Sequence, residues 1–441
     1  MLPLAGDDRL WRNGLAGAIP AAAAFVIAAA FLFFAARLAF DSVQAGVAAA
    51  LLFALNPNAL YLQATAMTEP FFFAALAALL YFSILFQRTQ SLLATAAAGV
   101  AACAATLTRY EGWLLIPLVT IYFAMIGRPH RWRGALLFTA LAAAGPLAWL
   151  AHNGYYYSNF LEFYNGPYSA KAIYARGLAQ GQRPYPGDGD WRAAFFYFRE
   201  AAALCAGQPL LWLAAAGGLV ALVRRVWWPL VVLALPPLFY ILSLHSGGTP
   251  IFMPHLEPNS YYNTRYGLAA LPLLAFAAAA LTSFGAEKLR AILAVLVIVG
   301  GAGAWLLSPS PENWITWKES QVNSVARRTW TAEAARHLAR EYQAGTGILA
   351  TFGDVSGVFR EAGIPLQETL NECDDLIFEA AVARPDLFLR EEWAVAIEGD
   401  PVDRALARSA RTGPVFRCVR MIHTPGAPPV RIFRRDRART Q

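Results

Sequence analysis

Ten runs of mostly apolar residues dominate the chain, at 15–36, 42–57, 70–86, 91–107, 112–127, 134–151, 207–223, 226–243, 266–284 and 291–307. A helix needs about 20 such residues to cross the hydrocarbon of a bilayer. Several runs are near the lower limit and read as tilted or extended by their flanks. The run at 42–57 is short and ends in Asn56-Pro57-Asn58. Of the 441 residues, 57% are hydrophobic and 15% charged, where soluble domains carry about 25% charged residues. One soluble core cannot hide that much apolar surface, so the expected solvent is lipid. The expected fold is an α-helical polytopic membrane protein of about ten spans, residues 1–307, followed by a small α/β domain, residues 308–441.

Lys and Arg in short loops orient such a chain. Alternate loops carry Arg37; Arg88; Arg128, Arg131 and Arg133; Arg224 and Arg225; and Lys288 with Arg290. The opposite short loops hold Glu69; Arg109 with Glu111; and His245, His255, Glu257 and Arg265. The alternation predicts that the first set is cytoplasmic. The long segment 152–206 and everything after 307 are then extracytoplasmic. The N-terminus falls outside as well, which predicts either one further helix before Met1 or a true N-out protein, the first being favoured. No cleavable signal is expected, because Asp7, Asp8, Arg9 and Arg12 stand where a basic start and apolar run belong. The Ala- and Arg-rich composition points to a bacterial inner or plasma membrane.

The net charge of +7 does not indicate nucleic acid. The basic residues are scattered in loops and in Arg431, Arg434, Arg435, Arg437 and Arg439 near the end. Cys103, Cys205, Cys373 and Cys418 form no C-x-x-C pair. Cys373 and Cys418 are expected to be free buried thiols, with pairing as the alternative in an extracytoplasmic domain. No metal-ligand spacing appears among the histidines, and neither a metal nor a cofactor is expected.

The segment 152–206 is rich in rings: Tyr155-Tyr156-Tyr157, Phe160, Phe163, Tyr164, Tyr168, Tyr174, Trp191, Phe195, Phe196, Tyr197 and Phe198. Such side chains favour the membrane–water boundary. The segment reads as one or two helices lying on the bilayer, or as a wall for a sugar or lipid. In the C-terminal part, 323–343 has an amphipathic helical pattern ending at Gly345. Strands are expected at 347–352 and 392–397, a turn at Gly353-Asp354, helices to about Glu361 and over 401–410, and a hairpin of 415–422 with 429–434 around Pro425-Gly426. The Gly353-Asp354 turn is expected to pack.

Ionisable groups at a membrane boundary are costly, which makes them candidate functional residues. Glu69-Pro70 places a carboxylate at a helix start, where it either serves chemistry or offsets the positive helix end. Thr108-Arg109-Tyr110-Glu111-Gly112-Trp113 lies between two apolar helices. There Arg109 either neutralises Glu111 or clamps a phosphate with its planar fork. A third loop contains His255, Glu257, Asn263, Arg265 and Tyr266. Two arginines at one depth, with carboxylates nearby, suit a phosphorylated lipid.

At these loops the chain resembles the GT-C superfamily of glycosyltransferases, which use polyprenyl-phosphate-linked sugars and include protein O-mannosyltransferases and aminoarabinose transferases. The resemblance rests on Asn56-Pro-Asn58, Met67-Thr-Glu-Pro70, Thr108-Arg-Tyr-Glu-Gly-Trp113 and Asn263-Thr-Arg-Tyr266, and covers most of the membrane part. It implies a membrane enzyme that moves a sugar, with inversion, from a polyprenyl-phosphate carrier to an acceptor on the outer face. A carboxylate would act as general base, and basic residues would meet the charge of the departing phosphate.

Carried over, Arg265 would hold the carrier phosphate, and Arg109 and Tyr110 would line the same cavity. Glu69 and Glu111 would orient the sugar or acceptor or serve as acid or base. His255, Asn263 and Tyr266 would complete substrate binding. The superfamily's usual base lies in the first outer loop. Met1-Leu-Pro-Leu4 resembles the end of that loop, and Asp7 and Asp8 are not assigned as the base, so the usual base is expected upstream of Met1. The alternatives are a transporter or flippase of lipid-linked sugars, or a non-catalytic relative that binds them.

Overall fold

The computed structural model describes residue 4, residues 6–128 and residues 131–436. Met1 to Pro3, Arg437 and Arg439, read above, lie outside the described residues. The chain divides into two compact units, Met1–Glu319 and Ser320–Gln441.

All ten apolar runs fall on helices. After a short helix at Asp8–Arg12 come α1 (Leu15–Phe40), α2 (Val43–Ala54), α3 (Pro57–Gln63), α4 (Glu69–Thr89), α5 (Leu92–Thr108), α6 (Leu115–Ile126) and α7 (Arg131–Tyr157). The helices α8 (Ala170–Ala179), α9 (Trp191–Ala206), α10 (Gln208–Val223), α11 (Trp227–His245), α12 (Leu271–Ala279) and α13 (Glu287–Leu307) follow. Among the described residues, six helical segments are long and apolar enough to cross a membrane, or eight if each of two bent pairs is one span. The pairs are α2 with α3, bent by 68°, and α9 with α10, bent by 107°; α5 and the segment Tyr110–Ile126 are shorter apolar helices. This is a multi-pass membrane protein.

The bends explain the Asn56-Pro57-Asn58 motif. Pro57 cannot donate to the preceding turn, and the Asn56 side chain accepts from the Asn58 and Ala59 N–H groups to start α3. At the other break, Gly207 takes φ 89, a conformation that suits a residue without Cβ. Breaking a helix inside lipid frees carbonyls that must find partners. Both the Asn56 and Asn58 side-chain amides donate to the Cys205 carbonyl, each at 2.9 Å. One motif therefore satisfies two helix breaks. The Asn58 Oδ1 also accepts from the Thr316 N–H and hydroxyl, each at 3.0 Å.

The first compact unit runs to Glu319, beyond the last apolar run. Ile315 packs in the membrane core, and Thr316 and Glu319 bond to Asn58 and to residues 263–265, so the unit's packing outlasts its hydropathy. The segment 152–206 is more helical than a loop, since α7 runs to Tyr157 and α9 begins at Trp191. Tyr155, Tyr156, Tyr157, Phe160, Tyr164, Tyr168, Trp191, Phe195 and Phe196 are exposed, whereas Tyr174 and Phe198 are buried.

In the second unit, α14 (Ile315–Glu341) enters from the first and is followed by β1 (Ile348–Ala350), α15 (Phe352–Ala362), β2 (Thr369–Leu370) and α16 (Leu376–Ala383). Then come a short helix Pro385–Phe388, β3 (Trp393–Ile397), α17 (Pro401–Thr412), β4 (Phe416–Ile422) and β5 (Val430–Arg435). The sheet order is β2-β1-β3-β5-β4, with β1 parallel to β2 and β3, and β5 antiparallel to β3 and β4. Successive strand residues face opposite sides. Ile348, Ala350, Trp393 and Val395 pack with Trp330, Ala334 and Leu338 of α14, while Leu349, Ala394 and Ala396 pack with Phe378, Val402 and Leu406.

Two expectations for this unit are corrected, the turn at Gly353-Asp354 and the burial of the two cysteines. Gly353 and Asp354 lie inside the first turn of α15, where Asp354 pairs with Arg327. The expected hairpin strand is β5, which carries Arg431, Arg434 and Arg435, and Arg431 and Arg434 pair there with acidic side chains. Cys373 and Cys418 are free but exposed; Cys373 lies on a short 3-10 turn and Cys418 on β4 at the sheet edge.

Candidate functional site

Glu69 is the first residue of α4, and its neighbour Pro70 sits where a missing N–H costs nothing. Its side chain is only 5% exposed. A carboxylate so buried requires partners. Glu69 Oε1 lies 3.0 Å from Arg109 Nη1 and 3.1 Å from Arg265 Nε. Glu69 Oε2 is buried with no hydrogen-bond partner.

Arg109 terminates α5 in an extended conformation, which turns its side chain out of the helix. All three of its nitrogens are engaged: Nε bonds Glu111 Oε1 at 2.5 Å, Nη1 also reaches Thr68 Oγ1 at 3.2 Å, and Nη2 donates to the Tyr240 hydroxyl. Burial alone would lower the pKa of this guanidinium, but Tyr240, Glu111 and Glu69 outweigh it and hold the group above its ordinary value. Glu111 Oε1 also accepts from the Tyr240 hydroxyl at 2.7 Å.

Arg265 stands at the second position of the 3-10 helix Thr264–Ala270. Besides Glu69 it meets Glu319 Oε1 through Nη1 at 3.3 Å. Among the described residues its Nη2 makes no hydrogen bond. Both guanidinium carbons lie over the Tyr266 ring, at 5.2 Å for Arg109 and 5.0 Å for Arg265. The Tyr266 ring stacks on Tyr240 at 4.7 Å. Asn263, in the left-handed region at φ 56, donates its amide to the Pro250 carbonyl and its N–H to Glu319.

The structure thus gathers Glu69, Arg109, Glu111, Asn263, Arg265 and Tyr266 into one bonded cluster. Tyr110 adjoins it from outside. A cavity of about 290 Å³ is lined by Thr106, Leu107, Thr108, Arg109, Tyr110, Glu111 and Trp149. The Tyr110 ring stacks on Phe163 at 4.9 Å, and its hydroxyl accepts from Trp149 Nε1 at 3.2 Å. His255 stands apart, 3.6 Å from Glu200. No bond joins it to the cluster among the described residues, because the loop turns back before Asn263 through the Phe252–Tyr262 bridge.

Sequence reasoning missed Tyr240 and Glu319. Tyr240 lies near the end of the apolar run 226–243, and a hydroxyl there was itself a signal. Glu319 gave less warning, since it lies between the last apolar run, ending at 307, and the amphipathic stretch that starts at 323.

Solved structures share this arrangement of helices. ArnT from Cupriavidus metallidurans, bound to undecaprenyl phosphate, aligns over 95% of this chain and 83% of its own at 14% identity, with a TM-score of 0.55. The same protein in the apo state aligns over 94% and 83% with a TM-score of 0.51.

The chain has the fold of the GT-C superfamily.

A family model described as dolichyl-phosphate-mannose-protein mannosyltransferase matches residues 10–152, the part of the GT-C fold that supplies Glu69, Arg109 and Glu111. An Archaeoglobus fulgidus oligosaccharyltransferase is also similar, over 87% of this chain and 58% of its own, at 13% identity and a TM-score of 0.46. No curated protein sequence matches the chain.

Proposed function

We propose that this GT-C chain transfers a sugar from a polyprenyl-phosphate carrier to an acceptor hydroxyl at the outer face of the membrane. The observation that carries the reading is Arg265: a guanidinium fixed by two carboxylates at the end of apolar helices, with Nη2 left uncommitted. An oriented, partly desolvated donor of that kind suits a phosphate oxygen. The fold supports the reading, because its solved representative above binds undecaprenyl phosphate. The basic residues of alternate loops support the outer placement of the cluster.

In this reading the acceptor oxygen attacks the anomeric carbon as the bond from that carbon to the phosphate oxygen breaks. The polyprenyl phosphate leaves, and Arg265 meets its developing charge. Glu111 lines the cavity and takes the acceptor's proton. Glu69 lies between the two guanidiniums and sets their spacing.

The test is to supply the purified, reconstituted protein with a polyprenyl-phosphate sugar. Release of polyprenyl phosphate, lost in Arg265→Ala and Glu111→Gln, supports the enzyme. Movement of the intact carrier across sealed vesicles without release would show a transporter instead.

A further inference from the structure

Glu319 is a buried carboxylate, 8% exposed. It accepts bonds from three successive residues. Oε1 takes the Asn263 N–H at 3.0 Å and Arg265 Nη1 at 3.3 Å. Oε2 takes the Thr264 N–H at 2.7 Å and the Thr264 hydroxyl. The N–H groups that open a helix lack partners within it, and Glu319 supplies them from a different helix, α14. The same carboxylate then holds the guanidinium that follows.

Arg265 is thereby fixed at two points of its fork. Glu69 holds Nε and Glu319 holds Nη1. With Glu69 alone the guanidinium could pivot about a single bond. With both, its plane is defined, and the direction of Nη2 with it.

We infer that Glu319 is a positioning residue that aims Arg265 Nη2 at an anionic phosphate oxygen. This rests on the carrier-phosphate reading above and adds a residue that touches no ligand. Simple electrostatics predicts the opposite sign. Glu69, Glu111 and Glu319 outnumber Arg109 and Arg265, so removing one negative charge should by itself favour an anion. Positioning predicts that the anion binds more weakly even though the charge balance has improved.

The experiment uses the full chain in nanodiscs, wild type and Glu319→Gln, with undecaprenyl phosphate as the probe. The expected result is about tenfold weaker binding, the scale of one charge-assisted hydrogen bond. Arg265 should also react with phenylglyoxal about tenfold faster, read by peptide mass spectrometry, because a guanidinium with one fewer charged partner is freer to react. The double variant Glu319→Gln, Arg265→Ala should bind no more weakly than Arg265→Ala alone, since Glu319 acts through Arg265. Equal or tighter binding in Glu319→Gln, or an unchanged rate of modification at Arg265, would overturn the assignment. If the wild type itself binds no undecaprenyl phosphate, the carrier reading fails, and the modification rate still decides the positioning role. Should Glu319→Gln not fold, Glu319→Asp keeps the charge but is one methylene short, and the same two changes are expected.

Discussion

The Tyr240 hydroxyl lies 2.7 Å from Glu111 Oε1, across 129 residues of sequence. It also accepts from Arg109, so one phenol closes the triangle Arg109–Glu111–Tyr240. Tyr240→Phe keeps the ring stacked on Tyr266 and removes only this link. A lost hydrogen bond to a charged group costs about 1.5–3 kcal/mol. Thermal unfolding in detergent should fall accordingly, and sugar transfer should drop with it. An unchanged melting temperature would show that the phenol contributes nothing to holding the pair.

Glu69 and Glu111 should respond differently to loss of charge. The buried Glu69 neutralises two half-buried guanidiniums, and removing one partner of a fully buried ion pair costs about 3–5 kcal/mol, an upper bound here. Glu69→Ala should therefore lower stability and expression, measured by fluorescence-detected size exclusion. Glu111→Gln keeps its shape and should fold, while transfer should fall about 100- to 10,000-fold through loss of the proposed base. Near-normal turnover in Glu111→Gln would move the base elsewhere.

Gly267 packs the 3-10 helix that carries Arg265 against α9. A Cβ there would stand 2.3 Å from the Ala201 carbonyl oxygen, and backbone atoms cannot step aside without moving the helix. Gly267→Ala should cost about 1–3 kcal/mol and weaken carrier binding together with stability. If the melting temperature and binding both match wild type, the close approach is not what seats Arg265.

Cys373 and Cys418 offer a test of orientation, being free and exposed. The loop charges predict the second unit to be outside, so a membrane-impermeant maleimide should label both in sealed spheroplasts at the rate seen with purified protein. The buried Cys205 should remain unlabelled until unfolding. Labelling of Cys373 and Cys418 only after permeabilisation would invert the topology.

The sequence by itself determined the helices and their solvent. Apolar runs of membrane length have one low-energy backbone in lipid, because every N–H and C=O must be satisfied within the segment. It also determined most of the second unit: the strand at 393–397, the helix from 401 and the closing hairpin all follow from alternation and turn chemistry. Glu69, Arg109, Glu111 and Arg265 were legible as charges out of place at the ends of spans.

The tertiary structure alone decided which charges meet. The approach of Arg109 and Arg265 to one carboxylate depends on how α4, α5 and the 3-10 helix pack, and periodicity carries no record of that. His255, near in sequence, was excluded by a bridge that turns its loop aside. Tyr240 was admitted from the interior of an apolar helix, and Glu319 from the start of a helix that leads into the second unit. Each joins through a hydrogen bond between distant segments, and local residue patterns do not encode such pairings.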